Sequence, residues 1–383
     1  MQVVANKSGI QDEPARSPRG TEICHDEGRP LRPGERADAG LPSQSLARVQ
    51  TVTQMDLDVL VIGAGVIGLT TAVCLAEAGV RVAIAAAELP QQTTSVAAGA
   101  IWGPHLVGRD ERVSRWAAVT QHRLTEFSAP EVGANGLDGI VRTATGISAS
   151  RADDAEPPEF AAGASDLTRC EPGEIPPGYR SAWRLTAPII AMPEYLDYLH
   201  QRFLRADGIA PFPAKFTTIG DASVQGAPTP VVVNCSGCGA RDLVPDPNVV
   251  PVRGQVVVAS NPGLTEFFVG TGAGHGDLTY LFPHGDTVVL GGTEEPGNWS
   301  REPDPATAER IVAACIAVQP ALNDAAVLGH RVGLRPTRPL IRLEAEQADG
   351  VTVVHNYGHG GAGVTLSWGC AEDAARLVLA ALD

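Results

Sequence analysis

Apolar and polar positions follow two regimes along the chain. Residues 1–54 hold few apolar residues, show no period and are broken by prolines and glycines, as in Pro14-Ala15-Arg16-Ser17-Pro18. Such a stretch buries too little surface to offset the entropy of ordering it, so a disordered tail is expected there. The pattern changes at Asp56. Asp58-Val-Leu-Val-Ile62 is a short apolar run, Gly63-Ala-Gly-Val-Ile-Gly68 follows, Leu69–Ala78 reads as a helix closed by Gly79, and Val80–Ile84 is a second apolar run. Short unbroken apolar runs on either side of a helix predict parallel strands buried on both faces.

Further along, 108–190 is rich in Pro, Gly and acidic residues and has no legible period. Pro193–Arg205 regains helical spacing, with Tyr195, Leu196, Leu199 and Phe203 on one face. Val231–Asn234, Gln255–Ala259, Thr287–Gly291 and Val351–His355 are expected strands; Ala306–Val318 and Ala371–Leu382 are expected helices. Alternating βα units with a strand-rich insertion predict an α/β fold, a doubly wound domain carrying a second, mostly antiparallel one.

A length of 383 residues suits about two domains. A net charge of −15 argues against nucleic acid and anionic membrane surfaces, which are bound through basic surface. Seven scattered cysteines do not form a disulfide framework in a chain this long, no apolar run is long enough to span a bilayer, and no secretory pattern opens the sequence; a cytoplasmic location is expected.

The chemistry is concentrated in glycine-rich turns and a few arginines. Gly63–Gly68 follows a strand and opens a helix, the context in which backbone N–H groups meet a dinucleotide pyrophosphate. The acidic residue that should close the second strand is missing; Glu88 comes one or two positions late. Near the C-terminus Val332-Gly-Leu-Arg335-Pro336-Thr-Arg338-Pro339-Leu-Ile-Arg342 sets arginines between prolines, whose fixed φ stiffens an extended strand. Arginine binds carboxylates through two parallel hydrogen bonds. The alternative is three surface charges on an edge strand. His355 and His359 sit four apart but on no evident helix, so they read as structural rather than metal-binding, with Tyr357 as packing. Cys235-Ser-Gly-Cys238 lacks both a thioredoxin context and the four ligands of a zinc site.

These motifs, in this order, resemble the D-amino acid oxidase and D-aspartate oxidase family. The resemblance rests on GAGVIGL, TTSVAAG (93–99), VVNCSGCGARDL (232–243), PVRGQV (251–256), VGLRPTRPLIRLE (332–344) and the HNYGHGG segment within 353–371, and it spans about 57–383. It implies a Rossmann-like FAD domain (55–110, 190–250 and 330–383) and a substrate domain on a large antiparallel sheet (111–189 and 251–329). It implies FAD as cofactor and a D-amino acid and dioxygen as substrates. The Cα hydride would pass to flavin N5, giving a 2-oxo acid, ammonia and hydrogen peroxide, with D-amino acid catabolism as the role. By the same resemblance Arg335 and Tyr280 hold the substrate carboxylate, and the Gly361 carbonyl accepts from the amine. FAD would be held by Gly63, Ala64, Gly65, Val66, Ile67 and Gly68; by Thr93, Thr94, Ser95, Gly99, Ala100 and Ile101; by Phe216, Ser236 and Gly237; and by Arg335, Gly360, Gly361, Gly363, Val364 and Thr365.

The chain departs from that pattern in one loop. Gly276 stands where many members carry a second active-site tyrosine, and no arginine lies between Phe267 and Tyr280 to meet an acidic side chain. Neutral D-amino acids are therefore favoured, with His275 or His105 left as groups that would attract an acidic one. A D-aspartate oxidase, a glycine- or sarcosine-type amine oxidase and a flavin-binding protein without turnover stand as alternatives. The oligomeric state, a homodimer included, is left open.

Overall fold

Five parallel strands place the first glycine turn. Val59–Ile62 is flanked by Val82–Ala86 and Val231–Asn234; Ile209–Pro213 lies outside Val82–Ala86, and Val351–His359 lies outside Val231–Asn234. Val59–Ile62, Val82–Ala86 and Val231–Asn234 are buried at every position, as unbroken apolar runs require. In this computed structural model the described residues are 57–383 except 109, 130–136, 138, 154, 159–160, 162–163, 165, 225–226, 229, 272–276 and 349. The expected tail, and the expectations on His275 and Gly276, lie outside the described residues.

The sheet continues from Val351–His359 into the long strand Val327–Ala348, which runs antiparallel to it and to Val250–Ser260 on its other side. Thr287–Thr293, Asp277–His284 and Phe267–Thr271 follow, each antiparallel to the last; Val141–Ser150 and Ser181–Ile190 complete that half. The result is an α/β fold with a large, mostly antiparallel sheet fused to a parallel one.

The arginine–proline strand is therefore interior, not an edge. Proline cannot donate to a ladder and normally sits at edges or bulges. The sheet accommodates Pro339 where pairing with Val351–His359 is interrupted between Thr337 and Arg342, and Pro336 where it faces another proline, Pro251.

Helices cover the parallel half. Val66–Glu77 packs against Gly363–Leu382 and Met192–Arg205, and Glu111–Phe127 packs against Gly363–Leu382. Helix Glu111–Phe127 was not legible within the 108–190 stretch. It is capped by Asp110, whose carboxylate accepts from Arg112 N, and it buries Val113, Trp116, Ala117, Thr120 and Leu124. The C-terminal helix begins at Gly363, two turns before the expected Ala371, and Val66–Glu77 begins three residues before the expected Leu69. Among the described residues no helix is long and apolar enough to cross a membrane.

Candidate active site

A cavity of about 820 Å³ runs from the first glycine turn to Arg335. Its walls come from segments far apart in sequence: turns that follow the parallel strands, the short helical turn Thr94–Ala97, and positions inside antiparallel strands such as Gly254, Tyr280 and Arg335. At one end Gly63 has φ +113°, and a Cβ there would stand 2.4 Å from the Cys235 carbonyl oxygen. Only glycine fits such a position. The helix Val66–Glu77 opens with no side-chain cap from Gly65, and its Val66 N–H donates to Ser95 Oγ at 2.9 Å. An uncapped helix N-terminus facing a cavity is a place for anionic phosphate.

The facing wall is the turn after Val231–Asn234. Asn234 Oδ1 accepts from Ser236 N at 3.2 Å and from Ser236 Oγ at 2.6 Å, which fixes the Ser236 hydroxyl at the cavity surface. Cys235 and Cys238 are free; burial pushes both thiols up to about 12, so neither is a thiolate at neutral pH. Glu88 reaches the cavity but is ion-paired with Arg301, which also donates to the Gln92 carbonyl at 2.9 Å.

The other end holds the arginine. Arg335 Nη1 donates to the Thr293 carbonyl at 2.9 Å, and among the described residues Arg335 makes no ion pair. Its two sequence neighbours are already committed: Arg338 pairs with Asp246 at 2.8 Å, and Arg342 pairs with Glu344 and Glu346 at 2.7 and 2.8 Å. Space for the Arg335 guanidinium comes from Gly254, where a Cβ would stand 2.4 Å from Nη1. Tyr280 is buried and stacks on Phe282, ring centres 4.9 Å apart. Burial raises the Tyr280 pKa against an opposing pull from Arg335, so the phenol stays protonated and able to donate. Gly361 lies under His105: a Cβ on Gly361 would meet His105 Cδ2 at 2.6 Å.

Gly254→Ala isolates the arginine's position from the fold. The atom in the way is the far end of a flexible side chain, so the protein is expected to fold and keep its colour. The displaced guanidinium is expected to raise KM about tenfold or more with a smaller change in kcat. A wild-type KM would show that Arg335 is not held by this packing.

Every site residue expected from the sequence lines this cavity except Gly68. Gly68 lies behind the turn, where its Cα hydrogen faces the Gly63 carbonyl. Two residues missed as cavity groups are Asn356 and His359, both fully or nearly buried, with Asn356 Oδ1 and His359 Nε2 lacking a hydrogen-bond partner among the described residues. Buried polar atoms are nearly always paired, so these orphans in a cavity wall mark places where a bound group completes the bonding. Their signal was the HNYGHGG segment itself, where they sit beside the glycines.

Burial also pushes His359 down to about 3 from 6.5. Folding thus favours the neutral ring, and that stability, present above pH 6.5, is lost as pH falls. At about 1.4 kcal/mol per unit, His359 alone is expected to cost about 2 kcal/mol between pH 6.5 and 5. Denaturant unfolding at pH 7 and 5 tests this; His359→Gln should flatten the dependence, and an unchanged slope would contradict it.

The cradle, the uncapped helix end and the orphaned polar atoms fit a flavin dinucleotide. Residues 58–377 match the family model described as FAD dependent oxidoreductase. The chain is 45% identical over 326 residues to a D-amino-acid oxidase of Rubrobacter xylanophilus, covering 85% of this chain and 96% of that one. It is 43% identical over 330 residues to a D-amino-acid oxidase of Streptomyces coelicolor, covering 85% and 97%. Among solved structures, a glycine oxidase from Bacillus cereus shares the fold with a TM-score of 0.69 at 19% identity, over 85% of this chain and 95% of that one. With the matched model spanning most of the sequence and FAD as its cofactor, the chain belongs to the FAD-dependent oxidoreductase family that includes the D-amino-acid oxidases.

Proposed function

We propose that this protein oxidises D-amino acids, neutral ones in preference, to 2-oxo acids with release of ammonia and hydrogen peroxide. The observation that carries the reading is Arg335, a cavity arginine with no carboxylate partner among the described residues, beside a buried, protonated Tyr280. Such a pair is made for a carboxylate that arrives with the substrate: the guanidinium supplies two parallel N–H donors and the phenol a third. The Gly361 carbonyl accepts from the amine. A substrate held at these two ends presents its Cα–H in one direction, which selects one enantiomer and supplies much of the barrier reduction by orientation. When bound, FAD would supply the two-electron acceptor for the Cα hydride, with dioxygen as the final oxidant. The amine reacts in its neutral form, and the imino acid then adds water to yield the 2-oxo acid and ammonia.

FAD would be held by the glycine turns at 63–68, 236–237 and 360–365 and by 93–101, which supports reading 55–110, 190–250 and 330–383 as the cofactor-binding part. The part formed by 111–189 and 251–329 then supplies the substrate side through Tyr280, apart from the helix Glu111–Phe127, which packs on Gly363–Leu382 of the cofactor-binding part. A cytoplasmic, catabolic role for D-amino acids accords with this chemistry.

The test is anaerobic reduction of the bound flavin, followed as bleaching of its visible absorbance, with D- and L-amino acids, glycine and sarcosine. Bleaching by D-alanine but not L-alanine is expected. Bleaching by glycine or sarcosine alone, or by none of the panel, would overturn the assignment.

A further inference from the structure

His105 and Glu294 come from distant stretches and meet at the cavity wall, which His105 lines and Glu294 backs from outside the lining. His105 forms part of the cavity wall, with its ring against Gly361. Glu294 directly follows Thr293, the residue whose carbonyl accepts from Arg335 at 2.9 Å. Across the gap between these stretches, His105 Nε2 lies 2.6 Å from Glu294 Oε1. The Glu294 side chain is only 13% exposed, and that oxygen is shielded from solvent. The His105 side chain is itself 41% exposed, but its Nε2 is shielded as well.

We propose that Glu294 is the residue that turns the site against acidic D-amino acids, by holding a carboxylate against His105 beside the substrate seat. This rests on the D-amino acid reading above and names its specificity determinant. His105 by itself would offer a partner to a substrate's second carboxylate. Glu294 already occupies that partner, and it adds a negative charge where solvent screens poorly. A second carboxylate entering there meets like charge and finds the imidazole taken. Such built-in repulsion discriminates between ligands that the attractive contacts alone would accept equally. D-asparagine and D-aspartate differ by little more than that charge, so they isolate the effect.

The measurement is kcat/KM for D-alanine, D-asparagine and D-aspartate with the FAD-loaded protein. The wild type is expected to favour D-asparagine over D-aspartate by about tenfold or more. Glu294→Gln keeps the shape and removes the charge; it should raise the D-aspartate to D-alanine ratio by about tenfold or more. Glu294→Asp, which keeps the charge, should hold the wild-type ratio. Adding His105→Ala to Glu294→Gln should cancel the gain, because the released imidazole is its source. A residue that only clasped two loops would lower all three rates together and leave their ratios alone. An unchanged ratio in Glu294→Gln, or equal wild-type rates on D-asparagine and D-aspartate, would overturn the proposal. Wild-type protein that D-alanine fails to reduce would instead sink the D-amino acid reading on which it stands.

Discussion

Arg335→Ala is expected to retain bound flavin and to lose on the order of 10²–10³ in kcat/KM for D-alanine, the cost of leaving a charged, buried partner unpaired. Arg335 sits in an interior strand, where its Nη1 donates to the Thr293 carbonyl and its guanidinium lies against the Tyr280 phenol. Its removal therefore leaves the sheet intact and leaves the substrate carboxylate with Tyr280 alone. Arg335→Lys should recover part of the loss, since it restores the charge but not the planar two-point fork. The loss should fall mainly on KM if the arginine binds the carboxylate equally throughout, and on kcat as well if it also aligns the Cα–H. Near-normal kcat/KM in Arg335→Ala would remove the central assignment.

The second large effect is expected at Gly68, although it does not itself line the cavity. A Cβ there would stand 1.9 Å from the Gly63 carbonyl oxygen, which is backbone and cannot swing aside. Gly68→Ala must therefore push the helix Val66–Glu77 away from the turn that precedes it. Overpacking of this kind costs about 1–3 kcal/mol, and here it also distorts the cradle. The variant is expected to purify colourless and to unfold at lower denaturant. Gly79→Ala is the control: it has φ +83° but no atom within 4 Å of the added Cβ. Its cost is the left-handed backbone alone, about 1–2 kcal/mol, with flavin retained. Full flavin content in Gly68→Ala would show that the turn tolerates displacement and that the cradle is looser than its contacts indicate.

These variants mark what was legible without a fold. The cores of Val59–Ile62, Val231–Asn234 and Thr287–Thr293 were readable because a strand buried on both faces needs an unbroken apolar run, a purely local property. The helix Glu111–Phe127 carries the right spacing but is embedded in Pro- and Gly-rich sequence that hides its ends. The start of Gly363–Leu382 was misplaced for a different reason. Glycine disfavours helix interiors, yet Gly369 is helical because a Cβ there would strike Trp116 Cα at 2.4 Å. Packing against another helix outweighs the local preference, and no window of sequence contains both partners.

What the sequence by itself offered is a set of candidate groups: the glycine turns and the arginines from residue type and near neighbours, and Tyr280 and the Gly361 carbonyl from the family resemblance. Only the tertiary structure decided which of them act together. Arg335, Arg338 and Arg342 are alike in sequence, but Asp246, Glu344 and Glu346 take two of them and leave one facing the cavity. His105 reads as a group that would attract an acidic side chain until Glu294 is placed 2.6 Å away. Charge and burial are properties of neighbours in space: Arg342 meets its partners two and four residues on, but Arg338 and Asp246 stand 92 positions apart and His105 and Glu294 about 190, too far for any local rule to join them.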